Sequence, residues 1–223
     1  MLKSNKKYPF NKIFARYRKK NIFIFSRLWH QLTLKCLEVV QKPELKQGNL
    51  LIEMYEKFIT DFEHRINPLS LVELCLPIVR QYQEPALAIK FLEKLKEKVK
   101  HEQEPSILCN TAIGAIYLEQ KNFEATKKCV EETEADLTQI DGVTTVHARF
   151  YELSSSYFRT IGNHCEYYKN ALRYLGCIKF ESLPVSEHKE RAFYLSLAAI
   201  LGEGIYNFGE LVNIFVPRFK FNL

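Results

Sequence analysis

The sequence predicts an all-α fold, a right-handed α-solenoid of TPR-like antiparallel helix pairs, and three observations predict it. Apolar residues recur with the 3.6-residue period of a helix throughout residues 28–211. No segment alternates apolar and polar residues for long enough to form a strand. Turn residues cut the periodic runs into pairs at intervals of about 35 to 40 residues, the spacing of helical repeats. Tyr82, Tyr117 and Tyr157 mark these pairs, each standing shortly before a turn and a second helix rich in Ala. With 8 Gly and 8 Pro in 223 residues, a turn-dense β fold is disfavoured.

The elements follow in order. From Leu50, the residues Leu51, Met54, Tyr55, Phe58 and Phe62 form one apolar stripe, with Glu53, Glu56, Lys57 and Glu63 between them. This predicts one helix through Phe62. Asn67-Pro68 ends it, because the residue before proline avoids helical geometry. The next run reaches Tyr82 and contains Pro77, which should kink it. Pro85 suits a first helical turn, and Ala86 to Lys100 follows with Ala88, Phe91, Leu92, Leu95 and Val99 inward.

Pro105 to Glu119 forms the next helix, Lys121-Asn122 the turn, and Phe123 to about Ile140 its partner. Asp141-Gly142 breaks the chain again. Val146, Phe150, Leu153 and Tyr157 then fall on one face of a helix that Gly162 ends in left-handed geometry. Asn163 caps the following helix, with Glu166 at the third position as in a capping box. That helix buries Tyr168, Ala171, Leu172 and Leu175, and Gly176 stops it. Pro184 and Ser186 open another helix, which ends near Gly202.

Charge is unevenly spread. The net charge is +6, yet nine Lys and Arg and no acid occupy residues 1–27, and Arg218 and Lys220 stand in the acid-free tail 212–223. Residues 28–211 therefore hold 21 basic against 26 acidic residues. The domains predicted are a divergent basic arm, 1–27, weakly ordered; a helical-repeat solenoid, 28–211; and a divergent tail, 212–223. The arm interleaves Lys and Arg with Tyr8, Phe10, Phe14 and Tyr17, a pattern compatible with non-specific contact to nucleic acid or an anionic surface. It also suits a mitochondrial presequence. The A/T-rich codons of both ends fit translated non-coding sequence or alternative exons equally well. No apolar run approaches the ~20 residues of a membrane helix.

The stretch RTIGNHCEYYKNALRYLGC, residues 159–177, is the place where chemistry could hide. His164 and Cys165 are adjacent, so on a helix they point about 100° apart, and Cys177 lies beyond the Gly176 stop. A zinc site needs about four converging ligands. None of the six cysteines forms C-x-x-C and no H-E-x-x-H occurs, so the stretch reads as a helix–turn–helix corner built by Gly162, Asn163, Glu166 and Gly176. Reduced intracellular thiols fit this usage. Gly202, Gly204 and Gly209 lack the Lys-Ser/Thr of a phosphate loop and read as a turn. Glu131, Glu132, Glu134 and Asp136 read as a solvated face. No catalytic, cofactor or metal residue is assigned, and partner-binding residues stay unassigned.

LWHQLTL (28–34), FEHRINPLSLVEL (62–74), FLEKLKEKVK (91–100), GVTTVHARFYELSS (142–155), TIGNHCEYYKNALRYLGC (160–177) and LPVSEHKERAFYLSLAAILGEGIYNFGEL (183–211) carry a family resemblance. They resemble the family of 26S proteasome non-ATPase regulatory subunit 13, a PCI-family lid subunit of the regulatory particle. The resemblance implies an N-terminal α-solenoid that leads into a PCI winged-helix domain, which this chain is expected to lack, with assembly impaired as a result. It implies a non-enzymatic scaffold for ubiquitin-dependent protein degradation, with no cofactor. Its implied partners are other lid subunits and the ubiquitin-receptor subunit, with no specific nucleic acid and no membrane. The implied location is cytoplasm and nucleus. Alternatives are a helical scaffold of another PCI-containing complex (signalosome or translation initiation) or an enzyme using Cys165 or Cys177 with a histidine.

Overall fold

A computed structural model describes residues 29–45, 48–178, 183–206 and 208–215. The basic arm, residues 1–27, lies outside the described residues, as does the tail from 216 onward. Among the described residues the secondary structure is helical, without a strand. The fold class is the predicted one, an all-α helical-repeat fold. Residues Met1–Leu95 and Lys96–Leu223 form two compact units.

In the first unit, helices α1 (Trp29–Val40), α2 (Leu50–Lys57) and α3 (Pro68–Val79) pack together, and α4 (Pro85–Val99) begins. Leu51, Met54 and Tyr55 of α2 are buried, as the stripe predicts. The helix, however, ends at Lys57 rather than Phe62. The Thr60 hydroxyl donates to the carbonyls of Tyr55 (2.7 Å) and Glu56 (3.2 Å). Two short 3-10 turns, Ile59–Asp61 and Glu63–Arg65, follow. They still place Ile59 and Phe62 in the core, so the apolar phase survives while the α-helix does not. Trp29 stacks on Phe62, and Tyr55 meets Phe91 edge-on at 5.0 Å.

Asn67 starts α3 by accepting from the backbone N–H groups of Leu69 (3.0 Å) and Ser70 (3.3 Å), with Pro68 in the first turn, where no donor is required. Pro77 sits close to the end of α3. Gln81 then does what the sequence did not suggest. Its Oε1 accepts from Leu51 N–H at 2.9 Å and its Nε2 donates to the Leu45 carbonyl at 2.6 Å. One side chain thereby satisfies a donor at the start of α2 and the carbonyl at the end of the 3-10 turn Pro43–Leu45.

In the second unit, α5 (Gln103–Glu119) pairs with α6 (Phe123–Leu137), and α7 (Thr145–Ile161) pairs with α8 (His164–Cys177). α9 (Val185–Leu201) lies on α8, and the short α10 (Gly209–Phe215) lies on both α8 and α9. α6 stops at Leu137, earlier than Ile140, and Gly142 (φ 83°) makes the turn beyond it. The buried face of α6 is Thr126, Val130, Thr133 and Leu137. Its two threonines cost little there because each hydroxyl donates within the helix, Thr126 to Asn122 O (2.8 Å) and Thr133 to Cys129 O (2.6 Å). Val146, Phe150, Leu153 and Tyr157 are all buried along α7. α5, α6 and α7 approach closely at Gly114, where a β-carbon would stand 2.8 Å from Leu153 Cδ2 and 3.3 Å from Cys129 Cβ.

Candidate functional site

The corner between α7 and α8 is built from backbone rules alone. Gly162 has φ 78°, a left-handed conformation that a β-carbon would strain. Its N–H bonds to Arg159 O (3.3 Å), and Asn163 N–H bonds to Phe158 O (3.0 Å), the paired pattern of a Schellman ending. Asn163 then opens α8, its Oδ1 accepting from Glu166 N–H at 3.1 Å. The Glu166 carboxylate bonds Lys169 Nζ at 2.8 Å.

The same corner occurs between α5 and α6. Lys121 is left-handed at φ 60°, its N–H bonding Leu118 O (3.0 Å) while Asn122 N–H bonds Tyr117 O (2.9 Å). Asn122 caps α6 by accepting from Ala125 N–H at 3.2 Å. Superposing the corners in register equates Tyr117 with Phe158, one residue beyond the Tyr157 that the sequence pattern singled out. The repeat is thus carried by a hydrogen-bonded turn more faithfully than by an aromatic spacing.

Gly176 corrects an expectation. It is helical, and α8 continues to Cys177 before Ile178 turns extended (φ −113°, ψ 156°). Nothing lies within 4 Å of a β-carbon placed at Gly176, so neither space nor a positive φ requires glycine there. Cys177 is therefore the last helical residue rather than a loop thiol. Gly202 and Gly204 do lie in a turn, Gly204 at φ 79°, and Gly209 begins α10.

His164 and Cys165 both lie in the first turn of α8, and Cys165 is half-buried. Among the described residues, no three His, Cys, Asp or Glu side chains converge as metal ligands. Burial pushes the Cys36 and Cys109 thiols up to about 12, and it raises Cys129 and Cys177 as well. A nucleophilic cysteine needs the opposite shift, toward thiolate. The glutamates of α6 are exposed and Asp136 is half-buried, and Glu131 pairs along the helix with Lys127 at 3.7 Å.

Sequence reasoning missed a polar seam where α9 meets α7 and α8. Arg191 of α9 bonds Glu187 through Nε (3.2 Å) and Nη2 (3.1 Å) and reaches Glu152 of α7 at 3.9 Å. Its guanidinium lies 4.9 Å from the ring centre of Tyr174 on α8. Arg159 of α7 answers with Glu190 (4.0 Å) and the Tyr194 ring (5.1 Å) of α9. Between them is a cavity of about 270 Å³, walled by Ser155, Ser156, Tyr167, Ala171, Leu175 and Leu195 with Arg159, Glu187, Glu190 and Arg191. The Glu187–Arg191 spacing of four was visible in the sequence. The partners across helices were not.

The seam orders side chains without preparing chemistry. Each arginine already faces a carboxylate and a ring, and among the described residues no buried side-chain nitrogen or oxygen lacks a hydrogen-bond partner. What the unit offers outward is surface. Leu195, Ala198 and Ala199 of α9 are buried, whereas Phe193, Leu197, Ile200 and Leu201 are exposed. Beyond α9, Ile205 and Leu211 pack on the α8–α9 core, whereas Tyr206 and Phe208 are exposed. The side chains of Ile214 and Phe215 are outside the described set.

The family described as PSD13 N-terminal repeats matches residues 18–216. Among curated proteins, the chain is 40% identical over 195 residues to 26S proteasome non-ATPase regulatory subunit 13 homolog B of Arabidopsis thaliana, covering 84% of this chain and 50% of that one. It is 35% identical over 191 residues to 26S proteasome non-ATPase regulatory subunit 13 of Dictyostelium discoideum, covering 84% and 49%. It is 25% identical over 216 residues to 26S proteasome regulatory subunit RPN9 of Saccharomyces cerevisiae, covering 90% and 54%. The chain spans about half the length of the curated relatives it matches.

Proposed function

The chain belongs to the family of PSD13 N-terminal repeats, and from that premise we propose that it is a non-catalytic structural subunit of the 26S proteasome regulatory particle, acting in its lid. The single observation that carries this reading is the family match over residues 18–216, joined by relatives in a plant, an amoeba and a yeast that are named as 26S proteasome regulatory subunits. Those names also favour the proteasome over the signalosome or a translation-initiation complex.

The physical character of the chain supports a scaffold. Stacked helix pairs present long surfaces, so binding spreads over many side chains instead of one pocket. The corner residues Gly162, Asn163 and Glu166 then serve to hold two helices antiparallel, with Gly176 a tolerated helical glycine near the end of α8. The partners in this reading are neighbouring lid subunits and the ubiquitin-receptor subunit, met in cytoplasm and nucleus. Depleting the protein from its source cells tests the proposal. The expected result is fewer assembled 26S particles and accumulated ubiquitin conjugates, with the peptidase activity of the free core particle retained. Unchanged particles and conjugates after complete depletion would refute it.

A further inference from the structure

The cavity at the seam of α7, α8 and α9 holds an unspent hydrogen-bonding group. Tyr167 of α8 lines it and is 7% exposed, yet among the described residues its hydroxyl has no hydrogen-bond partner. A buried phenol ordinarily finds one. The hydroxyl is not sealed in, since it opens on the cavity and can be reached through it. Donors on the wall are unspent as well. Arg159 meets Glu190 at 4.0 Å, and its guanidinium donates no hydrogen bond to a described residue. Arg191 gives Nε and Nη2 to Glu187 and leaves Nη1 uncommitted among the described residues. Ser155 and Ser156 differ, for both hydroxyls donate to the Glu152 carbonyl, at 3.0 and 2.8 Å.

The charges say which group completes this set. Two arginines and two glutamates line the cavity, but they do not act equally on its inner hydroxyl. Burial pushes the Tyr167 hydroxyl up, whereas Arg159 and then Arg191 draw it down, each more strongly than Glu190 raises it. The hydroxyl therefore stands in a positive local field, and its complement is an anion. Glu187 and Glu190 restrict that anion to one charge, because a second would be repelled. Beside the hydroxyl, Ala171, Leu175 and Leu195 are buried and present carbon. A planar carboxylate suits guanidinium donors, and an apolar stem suits the carbon floor. About 270 Å³ is room for one residue-sized group, a little under the ~300 Å³ at which small-ligand pockets begin.

We propose that this cavity binds a single carboxylate on a short apolar stem, the anion accepting from the Tyr167 hydroxyl and from Arg159 and Arg191, the stem resting on Leu175 and Leu195. The carboxylate belongs to the C-terminal apolar residue of a protein chain or to a free acid of like structure, and both sources share this chemistry. The site lies wholly in the second unit, so its test is independent of the proteasome reading.

Titration of the full chain with N-acetyl-leucine, followed by proton–nitrogen correlation NMR, tests it. The expected dissociation constant is about 0.1–1 mM, with N-acetyl-leucinamide and inorganic phosphate each bound at least about tenfold more weakly. Tyr167→Phe keeps the packed ring and should weaken binding about tenfold. Arg159→Gln should weaken it by a similar factor. Glu190→Gln should tighten it about two- to fivefold, because it frees Arg159 from a competing carboxylate. Glu190 is 60% exposed, so this variant decides the matter even if Tyr167→Phe fails to fold. N-acetyl-alanyl-alanyl-leucine identifies the source: tighter binding than N-acetyl-leucine supports a protein terminus, and equal binding supports a free acid. Neither acid bound at about 10 mM, the amide or phosphate bound as well as the acid, or Glu190→Gln weakening the complex would each overturn the proposal.

Discussion

Replacing Gly114 by alanine asks whether the close approach of α5, α6 and α7 governs the stability of the second unit. The new methyl would stand 2.8 Å from Leu153 Cδ2 and 3.3 Å from Cys129 Cβ. Carbon atoms prefer about 3.5–4.0 Å. Leu153 is buried, so its terminal methyl has little room to retreat, and the β-carbon of Cys129 moves only with its helix. Overfilling such a site costs about 1–3 kcal/mol. Against that, alanine gains up to about 1 kcal/mol over glycine in a helix. Gly176→Ala is the control. It makes the same chemical change in a helix of the same unit, with nothing within 4 Å of the new atom. Its effect should therefore be stabilising, by up to about 1 kcal/mol. Urea unfolding of the full chain, followed by circular dichroism, should separate the two variants by about 1–3 kcal/mol. Equal stabilisation by both substitutions would refute the three-helix contact as described.

The two Schellman corners give opposite expectations: Lys121→Gly should stabilise by about 1 kcal/mol, because a side chain leaves the left-handed region, and Gly162→Val should destabilise by about 1–3 kcal/mol. Cys165→Ser should change stability far less than Gly162→Val, and loss of a bound metal in that variant would overturn the corner reading. Gln81→Ala should cost about 1–3 kcal/mol in denaturant melts, since it abandons Leu51 N–H and Leu45 O together. The raised Cys36 and Cys109 thiols set an alkaline limit. Below the ordinary thiol range both folded and unfolded chains are protonated, so their contribution is constant. Above about pH 9 the unfolded chain loses these protons first, so stability should fall progressively toward pH 12 in chemical-denaturation curves. Stability that rises across that window would contradict the burial of these thiols.

What was legible in the sequence is what local physics controls. Val146, Phe150, Leu153 and Tyr157 announced the buried face of α7, because one face of a long helix has no alternative position. Gly162 and Asn163 announced their turn because few residues suit a left-handed ending followed by a cap. The end of α2 was illegible, since Ile59 and Phe62 keep the apolar phase through 3-10 turns that the period does not distinguish from helix. Gly176 misled because glycine permits a stop without requiring one. Two partnerships lay beyond reach altogether: Gln81 with Leu45 and Leu51, and Arg191 with Glu152 and Tyr174. Both join segments far apart in the chain, and only the tertiary fold brings them within bonding distance.

Affinity purification of the tagged full chain from its source cells, with quantitative mass spectrometry of what accompanies it, tests the scaffold assignment most directly. The account predicts that subunits of the 26S regulatory particle are enriched over mock purification, lid subunits foremost and in mutually constant ratios. Recovery of signalosome or translation-initiation subunits in place of the regulatory particle would contradict it.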